Sequence, residues 1–179
     1  MIGILGGRFD PPHVGHVALA RAALEQLPID RLVVLVAEHP GHRKVVADPE
    51  SRRRMAEAAF EGLGPVDIRL DPHAYTVDAV EGGRFGDAVF VLGADQGGAF
   101  DTWKKPDEVL RWVKLAVGTR AGHPPPDLGR YRDRVMTFAL DSPDVSSTEV
   151  RRRVAAGEPI GGLVPPGVER LIDELGLYR

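Results

Sequence analysis

Two stretches of the chain, Leu32 to Ala37 (LVVLVA) and Ala88 to Leu92 (AVFVL), are apolar at every position. A strand with one wet face alternates apolar and polar residues. Continuous apolar strands belong to sheets covered on both faces, which are mostly parallel. Ile2 to Leu5, ended by Gly6-Gly7, reads as another such strand. Val66–Leu70, Val113–Val117 and Val135–Leu140 are further candidates. Helical patterns lie between them. From His16 to Leu27, Val17, Ala20, Leu24 and Leu27 recur at helical spacing until Pro28 ends the run. Residues 51–63 place Met55, Ala58, Ala59 and Leu63 on one side, with Arg52, Arg53 and Arg54 expected mostly outside. Residues 76–81, Pro106–Trp112, 147–156 and 166–175 complete the helices. Alternation of this kind predicts a single α/β domain over residues 1–179, an open parallel sheet with helices on both faces. Ligands of such sheets sit beyond the carboxyl ends of the strands, which singles out residues 6–16, 37–44, 93–104 and 118–123.

Composition narrows the function. Acidic residues outnumber basic ones 26 to 23, so no broad cationic face for nucleic acid is expected. The absence of cysteine removes disulfides, thiolate metal sites and a cysteine nucleophile. The longest apolar run is six residues, against the ~20 that span a bilayer. The first residues lack the pattern of a secretory leader. A cytoplasmic protein that uses neither membrane nor nucleic acid is expected.

The loop after the first strand reads Gly6-Gly-Arg-Phe-Asp-Pro-Pro-His-Val-Gly-His16. Gly6 and Gly7 let the main chain turn sharply and approach a ligand. The loop then enters a helix whose free N–H groups favour an anion. His13 and His16, three residues apart, fall on one side of that first turn, where both imidazoles can donate to phosphate oxygens. Neither a Gly-Lys-Ser/Thr phosphate loop nor a full Gly-x-Gly-x-x-Gly is present. Near the other end, Val145-Ser-Ser-Thr-Glu-Val-Arg151 begins a helix. Ser146 and Glu149 have capping-box spacing, and Ser147, Thr148 and Arg151 make a second anion-binding terminus. Gly93-Ala-Asp95 follows the fourth strand, where Gly93 permits close approach and Asp95 can accept from ribose hydroxyls.

The first loop resembles the signature of nucleotidyltransferases with a His-x-Gly-His motif. The later segment is similar to their Ser-Ser-Thr-x-(Ile/Val)-Arg. Ala74-Tyr-Thr76, Gly93-Ala-Asp-Gln with Thr102-Trp-Lys-Lys-Pro106, and the ending Gly176-Leu-Tyr-Arg179 resemble the bacterial nicotinate mononucleotide adenylyltransferases. The resemblance implies a Rossmann-like fold and transfer of the adenylyl group of ATP, as its Mg²⁺ complex, to nicotinate mononucleotide. It implies catalysis by His13 and His16. Gly6, Gly7, Arg8, Phe9, Gly93, Asp95, Ser147, Thr148 and Arg151 would bind ATP. Lys44, Tyr75, Thr76, Trp103 and Lys104 would bind the acceptor, with Trp103 stacked on the pyridine and no protein-bound metal. Three departures stand out: Arg8 replaces the family's Thr or Ser, Lys104 replaces a Tyr, and Glu38-His-Pro-Gly-His-Arg-Lys44 replaces Pro-Pro-His-Lys, with Arg43 or Lys44 as the basic residue.

Three alternatives follow from the same residues. One is a sister enzyme acting on nicotinamide mononucleotide or phosphopantetheine. Another is a zinc site built from His13, His16, His39 and His42. A third is a non-catalytic nucleotide-binding module. Homo-oligomer formation is left open.

Overall fold

The computed structural model describes residues 1–41, 44–120 and 126–179. His42 and Arg43, and with them the four-histidine reading, lie outside the described residues. So does 121–123, part of one expected site loop.

Six strands, β1 (Ile2–Gly7), β2 (Arg31–Ala37), β3 (Val66–Asp71), β4 (Ala88–Gly93), β5 (Lys114–Thr119) and β6 (Val135–Ala139), form one sheet. All five pairings are parallel, in the order β3-β2-β1-β4-β5-β6. The chain runs outward from β1 in one direction and then from β4 in the other. The strand ends at β1 and β4 therefore frame the crevice where such sheets bind nucleotides. This is the Rossmann-like nucleotidyltransferase fold.

The continuous apolar strands feed two cores. In β2, Leu32, Val34 and Val36 pack on one face with helices α1 (Val14–Gln26) and α2 (Pro49–Phe60), through Ala20, Ala23, Met55 and Ala59. Val33 and Leu35 pack on the other with α3 (Thr76–Val80) and α5 (Pro106–Trp112), through Val77, Val80 and Val109. The period-two alternation that makes a strand amphipathic here separates two equally dry layers. Between these helices comes α4 (Ala94–Gly98), which the sequence reading placed in a loop. Its Gly97 lies against β5, where a Cβ would come within 2.8 Å of Val117. Two further helices, α6 (Ser147–Ala155) and α7 (Pro166–Glu174), add Val150, Val168 and Ile172 to the first core.

Helix α2 starts where Asp48 accepts from the Ser51 N–H and hydroxyl at 3.0 and 2.6 Å, with Pro49 in the first turn. Its buried face runs Arg52, Met55, Ala56, Ala59, Phe60. The expectation that Arg52 points outward is wrong. Its side chain is fully buried, although Arg53 lies on the exposed face and pairs with Glu50 and Glu57. The spacing of Arg52 to Met55 and Ala56 is that of a core stripe, which the charge of the residue concealed.

Candidate active site

The loop leaving β1 turns at Phe9, which has φ of 50° and a side chain buried in the first core. Phe9 packs edge-on against Phe60 and against His16, at centroid distances of 5.8 and 5.0 Å. Its ring is thus the floor beneath His16 and does not face the cavity. His13 caps α1 and His16 occupies the third helical position, so their rings stack 3.8 Å apart. The His13 main-chain N–H donates to Nδ1 of His16 at 3.1 Å. An Nδ1 that accepts carries no proton, so the neutral His16 ring holds its proton on Nε2. Burial lowers the His13 pKa to about 4. His16 is held well below the ordinary histidine value by burial first, then by the neighbouring His13 and Arg8. Both rings are therefore neutral donors and acceptors at pH 7. Nδ1 of His13 is buried and has no partner among the described residues.

Helix α6 closes on this loop from across the sequence. The Ser147 hydroxyl donates to the Pro11 carbonyl at 2.8 Å, and the Arg151 guanidinium donates to the Asp10 carbonyl at 2.7 Å. The same guanidinium reaches the Thr148 hydroxyl at 3.3 Å. The amino ends of α1 and α6 are thereby brought together, one presenting two imidazoles and the other two hydroxyls and a cation. Ser146 accepts from the Glu149 N–H at 3.1 Å, half of the expected capping box. The Glu149 carboxylate does not complete the box. It pairs with Arg152 and Arg153 instead, and these hydrogen bonds lower its pKa to about 2.

A cavity of about 520 Å³ opens beside His16 at the carboxyl ends of β1, β2, β3 and β4. Gly6, Gly7, Arg8 and His16 line it from the first loop, and Tyr75, Thr76, Trp103 and Lys104 from the far wall. Gly6 has to be small here, because a Cβ would come within 2.8 Å of the Phe90 ring. Trp103 is held by Phe90 and Phe100, with centroids at 6.0 and 5.3 Å. Lys104 lies 4.5 Å over the Tyr75 ring and bonds Asp78 at 3.0 Å, so its charge is already paired.

Other named residues stand outside the cavity wall. His13, Gly93, Asp95, Ser147, Thr148 and Arg151 do not line it, nor does Lys44, whose carbonyl accepts from Arg8 at 3.3 Å. Asp95 is exposed on the first turn of α4, while the next residue, Gln96, faces the cavity. Gln96 and Thr102 also line the wall, inside the expected site loop 93–104 but given no role there, and outside every expected loop stand Asp71 and His73, joined at 2.6 Å. The strand-end rule applied to β3 would have pointed to the last two. A shallower depression of about 600 Å³ lies between α2 and the amino end of β3, away from all of these residues.

Comparison with known proteins identifies the family. The model of the cytidylyltransferase-like family matches residues 4–153. A relative from Bordetella avium, named a probable nicotinate-nucleotide adenylyltransferase, is 37% identical, covering 99% of this chain and 98% of its own. One from Rhodopirellula baltica with the same name is 35% identical, covering 99% and 93%. Among solved structures, the Plasmodium falciparum nicotinic acid mononucleotide adenylyltransferase complexed with NaAD has a TM-score of 0.81 at 16% identity. It covers 99% of this chain and 96% of its own, a likeness of fold. The chain belongs to the cytidylyltransferase-like family and, within it, to the nicotinate-nucleotide adenylyltransferases.

Proposed function

We propose that the protein transfers the adenylyl group of ATP to nicotinate mononucleotide, giving nicotinate adenine dinucleotide and pyrophosphate. The observation that carries the reading is the pair of bonds from Ser147 and Arg151 to the Pro11 and Asp10 carbonyls, next to a cavity that can hold a second substrate. One polyphosphate can then be gripped from both helix ends while an acceptor lies against Trp103.

An oxygen of the acceptor's 5′-phosphate attacks the α-phosphorus. The new P–O bond forms as the bond to the β-phosphate oxygen breaks, and pyrophosphate leaves. The protein forms no covalent bond, so its work is positioning and stabilising charge. His16 donates from Nε2–H to an α-phosphate oxygen, needing no prior protonation. His13, with its unpartnered Nδ1, turns its ring to the phosphates. Fixed positive charge comes from Arg8 and Arg151, while the Thr148 hydroxyl and the free N–H groups of α6, that of Ser147 among them, hold the leaving pyrophosphate. Gly93 and Asp95 face the nucleoside. Mg²⁺ arrives on ATP as part of the substrate.

On the acceptor side the pyridine stacks on Trp103, and the main-chain N–H groups at Thr76 and Lys104 receive its carboxylate, with Tyr75 and Lys44 flanking. Because Lys104 is bonded to Asp78, preference for the acid over the amide rests on those N–H groups, which a neutral carboxamide satisfies less strongly. Among the described residues no helix is long and apolar enough to cross a membrane, and both substrates are water-soluble. Pyrophosphate release from ATP, measured in parallel with nicotinate mononucleotide, nicotinamide mononucleotide and phosphopantetheine, tests the assignment. Fastest release is expected with the first. Equal or faster release with either of the others would overturn it.

A further inference from the structure

A buried polar hub lies directly beneath the two substrate loops, and the mechanism above does not use it. The Arg52 guanidinium donates to four main-chain carbonyls: Ala47 at 3.0 Å, Arg8 at 2.9 Å, Ala37 at 2.6 Å and Glu38 at 3.1 Å. One of these belongs to the phosphate loop, one (Ala37) ends β2, and two (Glu38 and Ala47) belong to the segment that follows it and flanks the acceptor. The Asp10 side chain, 2% exposed, accepts from the Val46 and Ala47 N–H groups at 2.7 and 3.1 Å and from the Tyr178 hydroxyl at 2.8 Å. Its own carbonyl holds Arg151. A buried cation bonded to main-chain carbonyls and to no carboxylate is costly, and a helix-packing residue such as Leu would serve the core at less cost. What Arg52 and Asp10 achieve together is to join the phosphate loop, the acceptor loop, α6 and the end of the chain through side chains that touch no substrate.

We infer that Arg52 is a positioning residue, seconded by Asp10 and Tyr178, that sets the distance between the bound ATP and the bound acceptor. This deepens the adenylyl-transfer reading and rests on it. Lysine at position 52 has a shorter reach and three donors in place of a five-donor fork, so it cannot hold both loops at once. A misplacement of ~1 Å between reactants costs ~100-fold in rate, and Arg52→Lys is expected to lower kcat by about that factor. The fall should persist at saturating levels of both substrates, because the fault lies between the sites and not within either. Tyr178→Phe removes one hydroxyl from Asp10 and is the milder variant, expected to lower kcat by about tenfold on the same argument.

Amide hydrogen exchange supplies a readout that needs no turnover. In both variants exchange should quicken at Val46 and Ala47 and across 8–10, with β4 and β5 unchanged. If Arg52→Lys fails to fold, Tyr178→Phe decides alone. A lowered melting temperature with unchanged kcat and both KM values, or exchange quickened throughout the sheet, would reduce the hub to a structural support and overturn the inference. Should the unaltered protein transfer adenylate to none of the acceptors, the functional reading fails. The exchange pattern still decides whether the hub ties the two loops together.

Discussion

The stacked histidines give the structure a measurable dependence on pH. His13 binds its proton with a pKa of about 4 in the fold against an ordinary 6.5, because burial penalises the charged ring. Below pH 6.5 the unfolded chain takes up this proton and the folded chain does not. The contribution is therefore complete above about pH 6.5, declines as pH falls, and is spent near pH 4. At ~1.4 kcal/mol for each tenfold difference in proton affinity, the displacement is worth at most about 3.5 kcal/mol. Urea unfolding of the unaltered protein and of His13→Asn at intervals from pH 7.5 to 4 measures it. The unaltered protein should lose stability more steeply than the variant between pH 6.5 and 4, and the two slopes should agree above pH 7. Glu149 and the other carboxylates with lowered pKa lose their contribution in acid too, but equally in both proteins, so the difference reads His13 together with the part of the His16 shift that His13 causes. Parallel slopes through that window would refute the neutral, buried state of the ring. A His13 imidazole that titrates near 6.5 by NMR would refute it independently.

Two further outcomes test the chemistry. His16→Ala removes the donor proposed for the α-phosphate, so kcat should fall ~10²–10³-fold with the fold retained, whereas His16→Asn, which keeps an N–H, should lose less; equal losses in steady-state assays would show that the ring acts otherwise. Trp103→Ala removes the stacking platform, worth ~1–3 kcal/mol for an aromatic base, so the acceptor KM should rise roughly 10–100-fold while the ATP KM holds; a rise in the ATP KM instead would move Trp103 to the other substrate.

Much of the fold is legible in single segments. LVVLVA and AVFVL read as strands buried on both faces, and Pro28 stops its helix where the chain must turn, whereas the helix read over 51–63 ends at Phe60. The first loop and the start of α6 stand out as candidate anion sites, since Gly-Gly, paired histidines and hydroxyls at a helix start are local chemistry. Helix α4 was not. Its Asp-Gln-Gly-Gly segment has poor helical propensity, and Gly97 is there to fit under β5, a contact no local window contains.

Within the site the division is the same. Sequence alone determined which residue types were on offer: imidazoles beside a helix start, a Ser-Thr-x-x-Arg cluster, an aromatic after the fourth strand. Tertiary structure decided what each is worth. Ser147 meets Pro11 across 136 positions, and only that closure brings the two candidate anion sites together. Arg52, which reads as a solvated charge, becomes the buried tie between both loops, while Lys104, which reads as a receptor for a carboxylate, is paired with Asp78. Periodicity reports which side of an element a residue occupies. Whether water, carbonyls or another charge waits on that side depends on segments far away in the chain, and so does the pKa of every group facing them.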